Sequence, residues 1–376
     1  MHPTLSRRGF LDLSACSLAT AGLAPLLGAS GGARAQMPPT PPGMNDPDAV
    51  LLNYNENPLG PFPEALRAAA DALPRSNRYL FGLQREFTGL FAEQNSLGED
   101  HVAGYCGSGL ALDAAALAFA SPRAAAVVAD PTFESVAQMA DAHGTKVVRV
   151  PLRADGAHDV KAMAAAAMEA KAGLIYLCNP NNPTGSITPR ADIDWLLANK
   201  PAGSVVLVDE AYIHYCDEPG TLDLAKAGAD IVVLRTFSKI YGMAGMRLGL
   251  AVARPDLLEK LLLFGAGSLP VPAVAAGIAS LKHPERLAER KRATTTIRTE
   301  TVAWLKSRDY QCLPSQANCF MVDVKGDGRE FARKMAAHKV FVGRSWPVLP
   351  RQVRITVGTE AEMAKFREVF AKMMAG

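Results

Sequence analysis

The sequence is poor in the residues that build metal centres and disulfide frameworks. Its 376 residues hold six cysteines and seven histidines, with no CxxC or HExxH spacing, so neither a structural nor a catalytic metal is expected. Cys16 lies near the N-terminus; Cys106, Cys178, Cys216, Cys312 and Cys319 remain, an odd and irregularly spaced set that reads as free, buried thiols. An excess of charge is lacking too. Forty basic side chains face 37 acidic ones, for a formal charge of +3, and no basic run or aromatic-interleaved basic stripe suits nucleic acid. A small-molecule substrate is the better expectation. Internal repeats are absent, and past residue 36 no apolar run is long enough to span a bilayer.

What is present starts with an atypical N-terminal segment. Arg7-Arg8-Gly9-Phe10-Leu11 precedes an apolar, Ala- and Leu-rich stretch at 13–29 that closes on Ala33-Arg34-Ala35. Basic, apolar and small-residue regions in that order form a secretory signal, and the paired arginines resemble a twin-arginine export signal. Residues 1–35 are therefore read as a signal cleaved after Ala35, delivering a folded protein to the periplasm through the twin-arginine machinery. The alternative is a retained anchor. Gly22, Pro25, Gly28 and Ser30 interrupt the apolar stretch and count against it.

With 49% hydrophobic residues, the rest of the chain is long enough for a large core and a smaller second domain. Residues 36–60 begin Pro-rich and suit an N-terminal arm. In 61–264, short apolar runs at 125–129, 147–150, 174–178, 205–208, 231–234 and 248–252 alternate with helical spacing at 133–142 and 191–198. That alternation is the α/β pattern of a mostly parallel sheet covered by helices. From 265 to 376, longer helices such as 285–306 and strand-like runs at 320–324 and 353–357 predict a smaller α+β domain.

Chemistry-bearing residues follow the predicted strands, where ligands bind in open α/β sheets. Thr236-Phe237-Ser238-Lys239 follows the run at 231–234, with Arg247 eight residues beyond the lysine. A desolvated amine there can condense with an aldehyde, while Thr236, Ser238 and Arg247 can bind a phosphate. Taken alone, Lys239 is more economically an ordinary loop lysine. Asp209 ends the strand at 205–208; buried, it needs a cationic partner such as a protonated pyridine nitrogen, or else it caps a helix. Asn182 lies in the rigid turn Asn179-Pro180-Asn181-Asn182-Pro183-Thr184-Gly185, from which its amide can meet a ring oxygen that Tyr212 can also reach; a plain turn fits almost as well. Gly107-Ser108-Gly109 precedes a helical run at 110–119 and suits either a phosphate cradle or a generic cap.

In combination these segments resemble fold-type I enzymes dependent on pyridoxal 5'-phosphate (PLP), in the histidinol-phosphate aminotransferase branch of the class I/II aminotransferases. The matching segments are NENPLGP at Asn55, NRY at Asn77, GSG at Gly107, PTFESV at Pro131, NPNNPTG at Asn179, VDEAY at Val208, TFSKIYGMAGMRLG at Thr236, SQANCF at Ser315 and VRITVGT at Val353. The resemblance implies that Lys239 holds PLP as a Schiff base and that Asp209 pairs with the pyridine nitrogen. Asn182 and Tyr212 bind the ring oxygen; Gly107, Ser108, Gly109, Thr236, Ser238 and Arg247 surround the phosphate. Phe133 stands at the ring-stacking position, where the family commonly has tyrosine. Tyr79 reaches the phosphate of a neighbouring subunit in a homodimer. Arg354 grips the substrate's anionic group, with Arg344 and Asn55 on the substrate side. The implied activity is transfer of an amino group from an amino acid or related amine to a 2-oxo acid by a ping-pong route. Another PLP reaction on the same fold, such as decarboxylation, racemisation or amine oxidation, is the alternative, and a non-catalytic envelope binding protein a more distant one.

Overall fold

A computed structural model describes residues 40–265 and 267–374 of the chain; the signal read at residues 1–35 lies outside them. Eleven strands appear among the described residues: β1 (Val50–Leu52), β2 (Val102–Tyr105), β3 (Ala126–Asp130), β4 (Val147–Pro151), β5 (Leu174–Cys178), β6 (Val205–Asp209), β7 (Ile231–Thr236), β8 (Gly249–Ala253), β9 (Cys319–Asp323), β10 (Val340–Val342) and β11 (Gln352–Thr356).

Seven strands form the main sheet in the order β2-β8-β7-β6-β5-β3-β4. Neighbours from β7 to β4 run parallel, while β8 is antiparallel to both β7 and β2. Every residue of β5, β6 and β8 is buried, which is why these strands read as unbroken apolar runs rather than alternating ones. The six expected strands of this sheet form within a residue or two of their predicted bounds. β2 went unread because Val-Ala-Gly-Tyr is short and carries a glycine in its interior. Register sets Cys178 beside Asp209 and Asp209 beside Leu234, so the motifs that follow β5, β6 and β7 leave the sheet at one edge.

A second apolar cluster lies around the antiparallel pair β9 and β11, with Leu305, Phe331, Phe366 and Phe370 covering it. Two packing facts correct the expected domain bounds. The helix Val271–Leu281 was assigned to the small domain, yet Ala273, Val274, Ala276 and Ile278 pack in the large core with Phe62, Phe87 and Leu248. Its apolar faces need that sheet-side partner, so the small core gathers its helices from Glu285–Lys306 onward. Conversely β1, expected within an arm, pairs in parallel with β10 and buries Leu52 in the small core. The chain therefore passes from the small core into the large one at Asn53–Gly60, and returns after residue 281.

That crossing is held at the turn following Lys239. Gly242 has φ +71° and donates its N–H to the Lys239 carbonyl at 3.0 Å; a Cβ there would stand 1.9 Å from the carbonyl oxygen of Gly60. Glycine meets both the left-handed backbone and the close approach. Gly242→Ala is expected to cost about 2 kcal/mol or more, because strain and a backbone clash act together. Thermal melting checks this; an unchanged Tm would mean that the Gly60 segment moves away freely.

Candidate active site

The site is assembled where the loops after β5, β6 and β7 meet the start of the helix Ser108–Phe119. Gly107 precedes that helix with φ +84°, and a Cβ on it would lie 2.3 Å from Arg247 Nη2. The missing side chain lets the arginine reach the helix N-terminus, whose first-turn N–H groups have no intrahelical partners. Gly249 serves the same approach from β8, since a Cβ there would lie 2.5 Å from the Ser108 nitrogen. Thr236 Oγ1 donates to Ser238 Oγ at 3.0 Å, and Ser238 Oγ accepts from Arg247 Nη1 at 3.4 Å. No carboxylate pairs with Arg247 among the described residues. Free N–H groups, two hydroxyls and a forked cation form a receptor for a phosphate dianion. Gly109 is open, with nothing within 4 Å of its would-be Cβ.

Lys239 leaves this cradle toward the small core. Its Nζ donates to the Tyr54 carbonyl at 3.3 Å and lies 5.6 Å from the centre of the Tyr212 ring. Burial, and then the Arg354 cation, lower its ammonium to about 8, which makes a neutral amine accessible near physiological pH. Asp209, buried at the end of β6, is shifted up to about 6 by burial, against the opposing pull of the Ala211 N–H and of Lys239. Oδ1 accepts from the Ala211 N–H at 3.1 Å and Oδ2 from Tyr176 Oη at 3.4 Å, so no cation neutralises the carboxylate directly. It would be stabilised as an anion by a cationic ring N–H.

Tyr212 is held from the opposite side. Asn55, in the left-handed region at φ +54°, donates through Nδ2 to Tyr212 Oη at 3.1 Å and to Cys319 Sγ at 3.3 Å. Thr356 Oγ1 donates to Asn55 Oδ1 at 3.0 Å and accepts from the Asn55 N–H at 3.0 Å. Tyr212 Oη thus accepts a hydrogen bond and keeps its own proton to donate. Burial raises this phenol well above its usual range, so it remains protonated. Asn55, which the resemblance set on the substrate side, is thus tied to the Tyr212 hydroxyl and to Thr356.

Arg354, on β11, is buried, with Nη1 donating to Asn182 Oδ1 at 2.7 Å and Nη2 to the Asn53 carbonyl. Its Nε is buried without a partner, and no carboxylate pairs with it among the described residues. A buried cation without a counter-charge is costly, which marks a receptor for an anion. Gly343 permits this placement: its N–H donates to the Arg354 carbonyl at 2.8 Å, and a Cβ would lie 3.2 Å from Nε. Because Asn182 uses its oxygen on Arg354, its amide N–H groups remain available to an acceptor.

The remaining expected residues lie farther out. Phe133 is partly exposed, and Tyr79 is 68% exposed, stacked on Phe81 with ring centres 5.5 Å apart. Arg344, expected beside the substrate, is paired with Glu134, a carboxylate from the large core. Sequence reasoning passed over Tyr176, Cys319, Thr356, Gly343, Glu134 and Trp346. Glu134, Cys319 and Thr356 stood within the matched segments PTFESV, SQANCF and VRITVGT, but their partners lie 150 or more residues away along the chain.

The donor set fits PLP group by group: the cradle for its phosphate, Lys239 for its aldehyde, Asp209 for its pyridine nitrogen, and Asn182 and Tyr212 for its ring oxygen. Arg247 without a carboxylate partner among the described residues, and the buried Asp209 without a direct cationic partner, are the features that such a group would complete. Among the described residues no cluster of His, Cys, Asp and Glu could hold a metal ion, and Cys106, Cys178, Cys216, Cys312 and Cys319 are free thiols.

Comparison with known proteins identifies the family. Residues 47–370 match the family described as aminotransferase class I and II. An aromatic amino acid aminotransferase of Nocardia farcinica is 35% identical over 337 residues, covering 88% of this chain and 93% of the relative. A histidinol-phosphate aminotransferase of Moorella thermoacetica is 32% identical, covering 87% and 86%. Among solved structures, histidinol-phosphate aminotransferase from Sinorhizobium meliloti in complex with pyridoxal-5'-phosphate superposes with a TM-score of 0.79 at 25% identity, covering 86% of this chain and 92% of that one. The family match over most of the chain, and relatives above 30% identity along nearly all of it, establish that the protein belongs to the class I and II aminotransferases and is a PLP-dependent enzyme.

Proposed function

We propose that this chain moves an amino group from an amino-acid donor to a 2-oxo acid through the residues named above, working as a homodimer. The observation that carries the reading is a lysine amine lowered to about 8 beside Arg354, a buried cation with an unfilled N–H. Bound PLP supplies the aldehyde that takes the donor's amine and the ring that accepts the electron pair left at Cα.

In this reading Arg354 grips the donor's α-carboxylate by its planar fork, fixing which bond at Cα stands toward Lys239. Lys239 would hold the cofactor through its amine and, with that amine free, would act in turn as base and acid for the Cα proton. Asp209 would keep the pyridine nitrogen protonated. Tyr212 Oη and Asn182 Nδ2 would donate to the ring oxygen, Phe133 would pack on the ring face, and Gly107, Ser108, Gly109, Thr236, Ser238 and Arg247 would hold the phosphate. The exposed Tyr79 of each subunit would reach the phosphate of its neighbour. A 2-oxo acid then enters on Arg354 and the proton transfers run in reverse, which gives ping-pong kinetics.

Export is the second part of the proposal. Arg7 and Arg8, the apolar stretch at 13–29 and the Ala33-Arg34-Ala35 ending support delivery of the folded, cofactor-loaded protein to the periplasm. No helix among the described residues is long and apolar enough to cross a membrane.

Two outcomes follow. Arg354→Lys keeps the charge and loses the fork, so kcat/KM for carboxylate-bearing donors is expected to fall about 10- to 150-fold, the equivalent of a charged hydrogen bond of about 1.5–3 kcal/mol. PLP binding and Tm should stay near wild type; equal losses of stability and activity would make Arg354 a structural tie. Replacing Arg7 and Arg8 together by lysine should leave precursor in the cytoplasm, whereas the wild type yields a periplasmic protein beginning at Gln36. Fractionation with N-terminal sequencing decides, and normal export of the double variant would refute the twin-arginine route.

A further inference from the structure

Arg354 is not the only cation at this edge of the site. The Arg354 N–H donates to the Arg344 carbonyl at 3.3 Å, so the two arginines leave neighbouring backbone. Both lie against one indole: Arg344 Cζ is 4.7 Å and Arg354 Cζ 5.6 Å from the centre of the Trp346 ring. Their partners differ. Arg354 has no carboxylate partner among the described residues, whereas Arg344 donates to Glu134 Oε1, which also accepts from Trp346 Nε1 at 3.0 Å. Glu134 comes from the other core, next to Phe133 and just before the helix Ser135–Ala142.

We propose that Glu134 is a specificity-determining residue which, by holding Arg344, makes the site prefer amino donors with an uncharged side chain over donors whose side chain carries a carboxylate or phosphate. The inference rests on the aminotransferase reading above and deepens it. Two arginines and one glutamate leave a single unpaired cation at this edge, and the α-carboxylate common to all donors takes it. A second anion on the donor side chain has only Arg344 to turn to, and Glu134 already neutralises it. Taking Arg344 away leaves the Glu134 carboxylate beside the incoming anion, and like charges brought together at a partly desolvated site are penalised. Trp346 makes the arrangement stiff: its buried indole fixes Oε1 from one side while its face carries the Arg344 guanidinium. An uncharged side chain disturbs none of these contacts.

The substitution that isolates the charge is Glu134→Gln, which keeps an oxygen for Trp346 Nε1 and removes the negative charge. In the PLP-loaded enzyme, kcat/KM should be measured for a phenyl-bearing donor and for glutamate as the acidic one. The acidic-to-phenyl ratio is expected to rise on the order of tenfold in the variant, mainly through KM, with the phenyl donor's kcat and the Tm retained. Adding Arg344→Gln to that variant should remove the gain. Independently of turnover, calorimetric binding of the non-reacting anions glutarate and 3-phenylpropionate should move the same way, glutarate tightening on Glu134→Gln and 3-phenylpropionate not. An unchanged ratio overturns the proposal, as does a uniform loss for both donors with a lowered Tm, which would make Glu134 a structural clasp. If wild type turned over no donor, the aminotransferase reading would fail, while the two-anion comparison would still decide the role of Glu134.

Discussion

The cleft brings a lysine that must spend part of its time neutral close to an arginine that never is. Burial alone would depress the Lys239 ammonium, and the nearby Arg354 depresses it further, to about 8. The same arginine has no carboxylate partner among the described residues, an electrostatic imbalance that, in the proposed function, an entering carboxylate would relieve. Asp209 carries the opposite imbalance, a carboxylate pushed up to about 6 by burial, with the Ala211 N–H and the Lys239 charge only partly offsetting it. Three groups with displaced or unmet charge lie in one region, and in the proposed function a bound cofactor and an α-carboxylate are the ligands that complete them.

Holding those charges in place falls to residues that bridge the two cores. Asn55 is fixed by Thr356 and in turn fixes Tyr212, while the Asn318 amide donates to the carbonyls of Asn55 at 3.0 Å and Glu56 at 3.3 Å. Asn181 works on the far side, where Thr132 Oγ1 donates to its Oδ1 at 2.8 Å and its Nδ2 donates to the Pro131 carbonyl at 3.2 Å, tying the loop after β5 to the loop that carries Phe133. Glu134 links that same loop to Arg344 and Trp346. The substrate-side groups are therefore set by polar contacts that cross between cores, whereas Asn181 fixes two loops of the large core to each other.

Much of the main sheet was legible because buried parallel strands have an unmistakable composition, apolar on both faces and ended by polar, Gly- or Pro-containing turns. The same rule located Lys239, Asp209 and Asn182, each within a few residues of a strand end. What escaped was short or long-range. β1 and β10 have three residues each, too few to show a period, and their pairing joins positions 290 apart. The helix Val271–Leu281 follows the segment at which composition changes, yet its partners lie in the large core, and no local pattern records a partner. Arg344 illustrates the limit for site residues: its type suited anion binding, but whether it is free depends on Glu134, which is 210 residues away.

The most direct test of this account is to follow cofactor capture by the apoprotein across pH, trapping the product with borohydride and mapping the modified peptide. Only the neutral amine attacks an aldehyde, and an ammonium lowered to about 8 loses its proton as pH rises through that value, so the capture rate should climb up to about pH 8 and then level off. The reduced adduct should map to Lys239. A rate still climbing toward the ordinary lysine range near pH 10.4, or an adduct on a different lysine, would contradict the account.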